Sequence, residues 1–264
     1  MRWFIAAMVL ACAHAAHAEP RRIVSLDYCA DQFVLALADR DQIVALSRGS
    51  QRDDSYYRER ARGIRQTRGT LEEVMALRPD LIVRNWGGPW DAEDVYARFG
   101  VPVLQVGDAP DFAAAREDLL DAARTLGRLD RGQALAHDLD VRFARLAARR
   151  SNKPVMYLSA GGAVAGSGTM MGAAITAAGG RNVRAEQGWQ LMPLEQMVQT
   201  PPALIALGFF DHGRTNVNAW SPARHPALRR ALANAQTVEL PAAAIACEAW
   251  YAIDAAEAIA VALQ

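Results

Sequence analysis

The sequence predicts an α/β protein of two halves, each built on a parallel β-sheet, with a helical segment between them. Three observations predict this fold class. Short apolar strands alternate with helical segments along most of the chain, which favours parallel strands covered by helices on both faces. Residues 111–150 carry almost no strand signal, and a short pattern from the first half recurs in the second.

The first predicted half covers residues 21–110, where apolar runs alternate with amphipathic segments. Prolines, glycines and polar turns separate these runs, as is typical of buried strands and the helices between them. Predicted strands lie at 22–26, 43–47, 80–83 and 100–106, and predicted helices at 31–38, 71–77 and 91–99.

Residues 111–150 form the predicted helical segment. Large apolar residues recur here at spacings of four, four and three, so one face of a helix is apolar. These residues are Leu135, Leu139, Phe143 and Leu146. A helix over 130–150 would be about 30 Å long. We predict that it bridges the two halves; the alternative is an ordinary surface helix inside one large domain.

The second predicted half, residues 151–264, contains a repeat of the first. Residues 71–83 and 194–206 align without a gap and share Leu, Glu, Pro, Leu and Ile. Each copy is predicted to form a helix that ends at a proline and is followed by a buried strand. Two such copies indicate two lobes of related topology.

Composition and charge exclude several classes of function. Lys+Arg and Asp+Glu both number 29, so the formal net charge is zero. Proteins that bind nucleic acid through its phosphates normally carry a basic excess, so we expect no nucleic-acid partner. Three cysteines are too few for a disulfide scaffold or a cysteine-rich metal domain.

Residues 1–18 are predicted to be a signal peptide. Arg2 precedes an apolar run at 3–12, and Ala-His-Ala at 16–18 has the small-x-small pattern of a cleavage site. The alternative is a lipoprotein signal that anchors the chain at Cys12. Both interpretations predict export, most simply to a bacterial periplasm.

Few residues have the spacing of a catalytic or metal-binding site. The glycine-rich residues 165–169 match neither a nucleophile elbow nor a phosphate-binding loop, so we expect a turn that leads into a helix. No two histidines or cysteines after residue 18 have a metal-ligand spacing, so we predict no metal site and no cofactor. The alternative is an exported α/β enzyme that uses Asp211 and His212, or Glu248, as acid and base.

Aromatic residues follow most of the predicted strands. Ligands of open α/β sheets bind beyond the carboxyl ends of the strands, so these residues are expected to line a cleft. Several rings there suit a large planar or apolar ligand; the alternative is packing of loops onto the core. The predicted ligand-binding aromatic residues are Tyr28, Trp86, Trp90, Trp189, Phe210, Trp250 and Tyr251. Arg48, after the second strand, is a predicted partner for a carboxylate or phosphate.

Cys29 and Cys247 are expected to lie in loops that border this cleft. An exported protein reaches a compartment where thiols oxidise. We predict a disulfide between the two residues, which would limit any hinge opening of the halves. The alternative is two separate, largely buried thiols.

Motifs of one protein family occur in order along the chain. They are RIVSL at 22–26, LE at 71–72, PDLIV at 79–83, GVPV at 100–103, VAGSGT at 164–169 and AGGRNV at 178–183. Residues 21–264 therefore resemble the periplasmic substrate-binding proteins of ABC importers for iron chelates, haem and vitamin B12. The resemblance implies the class III fold: two Rossmann-like lobes joined by one long helix, with the ligand in the cleft.

The resemblance also implies a function and partners. It implies a monomeric, non-enzymatic receptor that binds an iron-siderophore, haem or cobalamin-type ligand and delivers it to an ABC permease dimer in the inner membrane. Trp86, Trp189 and Trp250 match tryptophans of the vitamin B12-binding branch. Residues 27–31, however, replace a Ser/Pro-rich turn and look more like those of iron-complex binders. A further alternative is a haem-binding surface module that has no transporter.

Glu72 and Glu195 occupy the same position in the two copies of the repeat. In the family, one surface glutamate on each lobe engages arginines of the permease, so the resemblance implies a docking role for this pair. Glu73 is a possible substitute for Glu72 in that role. The alternative is that each carboxylate merely stabilises the start of its helix.

Overall fold

The computed structural model of the protein describes residues 19–149, 151–191, 195, 199–210 and 225–264. The predicted signal peptide, with Cys12, lies outside the described residues. Within these ranges, no helix combines the length and the apolar character that crossing a membrane requires.

The first half contains a five-stranded sheet in the order β3-β2-β1-β4-β5, and every pair is parallel. Its strands are β1 (Ile23–Ser25), β2 (Ile43–Ser47), β3 (Gln66–Thr67), β4 (Leu81–Arg84) and β5 (Val103–Gln105). Its helices are α1 (Tyr28–Leu37), α2 (Leu71–Ala76) and α3 (Ala92–Ala97). The sequence predicts β1 and β4 as strands, and their position inside the sheet explains why their apolar residues are buried.

The second half contains a mixed sheet in the order β11-β10-β6-β7-β9, with β8 also paired to β6. Its strands are β6 (Pro154–Ser159), β7 (Ala163–Ala165), β8 (Arg181–Asn182), β9 (Trp189–Leu191), β10 (Leu204–Gly208) and β11 (Thr237–Leu240). Its helices are α6 (Met170–Ala177), α7 (Pro226–Asn234), α8 (Ala242–Ile245) and α9 (Ile253–Ala262). The expectation of a wholly parallel sheet is therefore wrong here: β7 runs antiparallel to both of its neighbours, β6 and β9. The physical reason is the short loop after Ser159, where Gly162 has φ +87° and turns the chain back as a hairpin.

The two copies of the sequence repeat occupy equivalent places in the two sheets. Leu81 begins β4 and lies beside Ile23 of β1, while Leu204 begins β10 and lies beside Val155 of β6. Each strand therefore sits next to the first strand of its own half, which confirms the related topology. Of the helix in the second copy, the structure describes only positions 195 and 199.

Two helices, α4 (Phe112–Thr125) and α5 (Leu129–Ala147), connect the halves. Nineteen residues make α5 about 28 Å long. Of the apolar face predicted from the spacing, Leu139 and Leu146 are buried and Leu135 is half-buried, whereas Phe143 is 41% exposed. The same face of α5 is linked to the C-terminal helix α9, because Arg142, between Leu139 and Leu146, donates hydrogen bonds to the carboxylates of Asp254 and Glu257. The connecting helix therefore packs along the second half.

The polar residues 48–65 form a series of turns that reach the C-terminal segment. The ring of Tyr56 stacks on that of Tyr251, with centroids 4.3 Å apart and planes 15° apart. Its hydroxyl donates a hydrogen bond to Asp254 at 2.8 Å. Although this stretch contains little apolar sequence, it contributes aromatic contacts that join the first half to the second.

A disulfide joins Cys29 of α1 to Cys247, and their Cα atoms lie 5.6 Å apart. Cys29 follows β1, and Cys247 follows β11, in chain order. Cys29 lies in the first turn of α1 rather than in a loop as expected, so the bond ties the start of this helix, beyond β1, to a loop beyond β11.

Asp31 is a buried carboxyl group that connects α1 to the end of β2. Its two oxygens accept hydrogen bonds from the backbone N–H of Ser47 at 3.0 Å and from the Ser47 hydroxyl at 2.6 Å. Burial raises the pKa of Asp31 to about 7, although the hydrogen bonds from Ser47 and Ser25 partly oppose this shift. The ionised carboxylate is thus costly in the folded state at neutral pH.

We expect the raised pKa of Asp31 to make folding stability pH-dependent. The folded state holds this proton more tightly than the unfolded state, so its contribution to stability is complete below about pH 4. It falls as pH rises toward 7 and then levels off, a loss of about 2–4 kcal/mol. In Asp31→Asn, thermal unfolding should vary less between pH 5 and pH 8 than in the parent. An equal pH dependence in the two proteins would contradict this assignment.

Removing the disulfide should lower the free energy of unfolding by about 2–4 kcal/mol, since the cross-link closes a long loop in the unfolded chain. The measurement is denaturant unfolding of the parent and of the Cys29→Ser, Cys247→Ser double variant, each with and without reductant. Reductant should destabilise the parent and leave the double variant unchanged. Two titratable thiols at positions 29 and 247 in the denatured, unreduced parent would overturn the bond.

Candidate functional site

The carboxyl ends of the strands in the two sheets meet around a common region. The disulfide already links the segments after β1 and β11. The halves also come close beyond β5, where the carboxylate of Asp108 is near enough to Glu248 to act on it electrostatically. Burial raises the pKa of Glu248, and the carboxylate of Asp108 raises it further. This region corresponds to the position at which open α/β sheets bind ligands.

Tyr28 and Trp86 form an aromatic wall on the first half. Tyr28 is the first residue of α1, and Trp86 lies in the loop after β4. Their ring centroids lie 6.0 Å apart with planes at 70°, an edge-to-face contact. Trp86 is 58% exposed and Trp90, in the same loop, is 92% exposed. The structure therefore presents three of the predicted aromatic residues on or near one surface.

Arg52 is a charged residue of this wall that sequence reasoning missed. Its guanidinium lies 4.7 Å from the centroid of the Tyr28 ring. Two of its nitrogens, Nε and Nη2, donate to the two oxygens of Asp54 at 2.8 and 2.6 Å, which fixes the guanidinium over the ring. Burial raises the pKa of Tyr28 and Asp54 adds to the rise, while Arg52 opposes it. The phenol therefore stays protonated at neutral pH and can donate a hydrogen bond. The predicted Arg48 is exposed just after β2.

The buried carboxylate of Asp27 holds both parts of the wall. Its Oδ1 accepts a hydrogen bond from the N–H of Ala30 and caps α1, directly before Tyr28. Its Oδ2 accepts hydrogen bonds from three consecutive N–H groups of the Trp86 loop. The preference of Asp for helix starts could have signalled the cap, but not the contact with a loop almost 60 residues away.

Trp189 and Leu191 form an apolar surface on the second half. They point the same way from the edge strand β9 and are 48% and 84% exposed, respectively. The Trp189 ring packs edge-to-face on the buried ring of Tyr157, with centroids 5.6 Å apart. Phe210, just beyond β10, is half-buried against the core of the second sheet. Alternation in a short strand could have identified Leu191, which sequence reasoning passed over.

Trp250 and Tyr251 lie in the core, which corrects their predicted role. They are 4% and 1% exposed. Trp250 packs edge-to-face on Phe33 of α1 at 5.0 Å, and Tyr251 stacks on Tyr56. A single helical turn before α9 directs both rings toward the first half. They therefore join the halves and present almost no surface to a ligand.

The two glutamates of the repeat are exposed. Glu72 lies in the first turn of α2, and Glu195 accepts a hydrogen bond from the amide of Gln199 at 3.3 Å. The carboxylate of Glu73 accepts a hydrogen bond from the backbone N–H of Arg68, in the preceding loop, at 3.0 Å. This hydrogen bond lowers the pKa of Glu73. Glu72, rather than Glu73, is thus the carboxylate that faces solvent.

Of the three candidate acid–base residues of the alternative enzyme, the structure describes Glu248. Asp211 and His212 lie outside the described residues. Glu248 is half-buried beside Asp108. In the part of the chain that the structure describes, no three His, Cys, Asp or Glu side chains are grouped closely enough to hold a metal ion.

Comparison with known proteins identifies a curated relative by its sequence and solved structures of similar fold. A cobalamin-binding protein of Halobacterium salinarum is 28% identical over 205 residues, which cover 72% of this chain and 54% of that protein. The chain thus spans about half the length of this curated relative. The periplasmic heme-binding protein HutB of Vibrio cholerae superposes with a TM-score of 0.71 at 19% identity, over 91% of this chain and 97% of that one. An ABC-type Fe3+-hydroxamate transport protein from Saccharomonospora viridis gives 0.65 at 20% identity, over 92% and 93%.

At these low identities the two structures show a shared fold, that of the class III periplasmic binding proteins. The sequence profile of the periplasmic binding proteins matches residues 23–241, which include both sheets and the connecting helices. This chain belongs to the periplasmic binding protein family.

Proposed function

We propose that this protein is the solute-binding component of an ABC importer and binds an iron-siderophore, haem or cobalamin-type ligand between its halves. Residues 1–18 direct its export to the periplasm, where it acts as a monomer and delivers the ligand to a permease dimer in the inner membrane. The proposal rests on family membership and on relatives that bind cobalamin, heme or Fe3+-hydroxamate.

The exposed aromatic surfaces on both halves carry this proposal. Trp86 with Tyr28 on one side, and Trp189 with Leu191 on the other, leave large apolar areas in water. Such exposure is unfavourable unless a partner covers it, and a large ring system or chelate would do so. Arg52 adds a fixed positive charge beside the Tyr28 ring.

A binding role accounts for these residues better than catalysis does. An enzyme needs a reactive group held beside a base, with geometry that fits a reacting atom. The described part of the site offers aromatic surfaces and a protonated phenol. We therefore assign it to recognition of a ligand that leaves unchanged.

Replacing either exposed tryptophan of the two surfaces by alanine should weaken ligand binding about tenfold, through lost stacking and lost apolar contact. Hemin, cyanocobalamin and ferrioxamine B serve as probes, with binding followed by tryptophan quenching and thermal shift. The variants are Trp86→Ala and Trp189→Ala. Phe99→Ala is the matched control, since Phe99 is 55% exposed but lies beyond the far end of α3. Failure of the parent to bind any probe, or parent-like affinity in both tryptophan variants, would refute the proposed site.

Glu72 and Glu195 are proposed to dock the two halves onto the two permease subunits. Both are exposed, and they occupy corresponding positions before β4 and β10, which are themselves equivalent strands. One carboxylate on each half lets a two-subunit partner with arginines contact both halves at once. Charges of this kind mainly steer association and fix orientation, so docking should weaken with salt.

The Glu72→Ala, Glu195→Ala double variant should bind ligand like the parent but lose most uptake in proteoliposomes that contain the permease and its ATPase. Loss of the docking charges, rather than loss of ligand, is the reason. Glu93→Ala, an exposed glutamate at the start of α3, controls for loss of a helix-terminal charge. Parent-like uptake by the double variant would contradict the docking role and would mean that both residues only stabilise their helices.

A further inference from the structure

One buried carboxylate links the start of α1 to the loop that carries Trp86. Asp27 is 1% exposed. Its Oδ2 lies 2.7, 3.1 and 2.9 Å from the backbone nitrogens of Asn85, Trp86 and Gly87. Its Oδ1 accepts the N–H of Ala30 at 2.9 Å. Four N–H groups therefore converge on a single side chain, which compensates for its removal from water.

Close packing of the two backbones makes this convergence possible. A Cβ at Gly87 would lie 2.5 Å from the carbonyl oxygen of Leu26 and 3.0 Å from the Cβ of Asp27. Only glycine lets the loop approach so near. On its other side, Asn85 donates its side-chain amide to the carbonyl of Val106 at 2.7 Å, so the loop is held from both directions.

An ordinary helix-capping side chain accepts fewer hydrogen bonds than Asp27 does. Asp111 caps α4 through the N–H of Ala114 at 2.9 Å, on an exposed surface. The Asp27 side chain makes the equivalent bond and three more, all to the segment with Trp86. The additional bonds do not serve α1 and require another explanation.

We propose that Asp27 is a positioning residue of the ligand site, which fixes Tyr28 and Trp86 relative to each other before a ligand arrives. Tyr28 follows Asp27 directly, and the Trp86 N–H is one of the three loop donors. The edge-to-face contact of the two rings thus depends on the same carboxylate. Because the wall is already formed, no binding free energy is lost in ordering the loop when the ligand binds, and the affinity is higher. This inference rests on the proposed function.

The first test examines the loop without ligand. In Asp27→Ser the hydroxyl can still cap α1 but is too short to reach the loop. Hydrogen exchange of the amides of residues 85–87 should become at least about tenfold faster. Asp111→Ser, which weakens a cap elsewhere, should leave those amides at the parent rate. Parent-like exchange in Asp27→Ser would overturn the proposal.

The second test measures affinity for whichever of hemin, cyanocobalamin and ferrioxamine B the parent binds. We expect about tenfold weaker binding in Asp27→Ser and parent-like binding in Asp111→Ser, even where both lose similar thermal stability. Faster exchange with unchanged affinity would show that loop position does not matter and would overturn the proposal. If the parent binds no probe, the proposed function fails, while amide exchange still decides whether Asp27 holds the loop.

Gly87→Ala tests the same contact from the loop side and serves where Asp27→Ser does not fold. The added methyl group would lie against the carbonyl of Leu26 and the Cβ of Asp27, so the loop must move away from both, although the Asp27 side chain itself is unchanged. Both faster exchange at residues 85–87 and weaker probe binding are expected. Parent-like values for either quantity would contradict a positioning role.

Discussion

The junction between α1 and the C-terminal segment is the constraint on which the arrangement of the two halves depends. Cys29 is bonded to Cys247, Phe33 packs on Trp250, and the turns of residues 48–65 add the stack of Tyr56 on Tyr251. Since α1 follows β1 and the C-terminal segment follows β11, these contacts hold the carboxyl ends of both sheets beside one another. The ligand site that we propose between the halves would therefore lie beside this junction.

The junction also divides the aromatic residues into two groups. At the junction, Phe33, Trp250 and Tyr251 are buried and Tyr56 is half-buried, and these rings contribute to stability through apolar burial and ring contacts. Rings away from it, above all Trp86 and Trp189, keep much of their surface in water. Aromatic residues therefore join the halves where they are buried at the junction, and elsewhere they remain exposed, which is where we propose that a ligand binds.

The two aromatic surfaces are supported by different forces. On the first half, a buried carboxylate organises the backbone of the Trp86 loop through hydrogen bonds. On the second half, Trp189 lies against Tyr157, whose hydroxyl passes so close to Gly208 that any larger residue there would collide with it. Hydrogen bonds are directional and can fix the conformation of a loop. Close packing is sufficient for a residue whose backbone is already held in a β-strand.

The sequence by itself determined the α/β class, the two related halves and the helical connection, because apolar periodicity and proline positions are local properties. It also singled out Trp86, Trp189, Glu72 and Glu195, which the structure shows to be exposed and whose roles remain predictions. It did not predict that β7 runs antiparallel to its neighbours. It also could not distinguish the buried Trp250 from the exposed Trp86, since both follow a predicted strand. Only the tertiary structure decided which of these rings is buried and which contacts Asp27 and Arg52 make. The physical reason is that burial and hydrogen bonding depend on segments that are distant in the chain and meet only after folding.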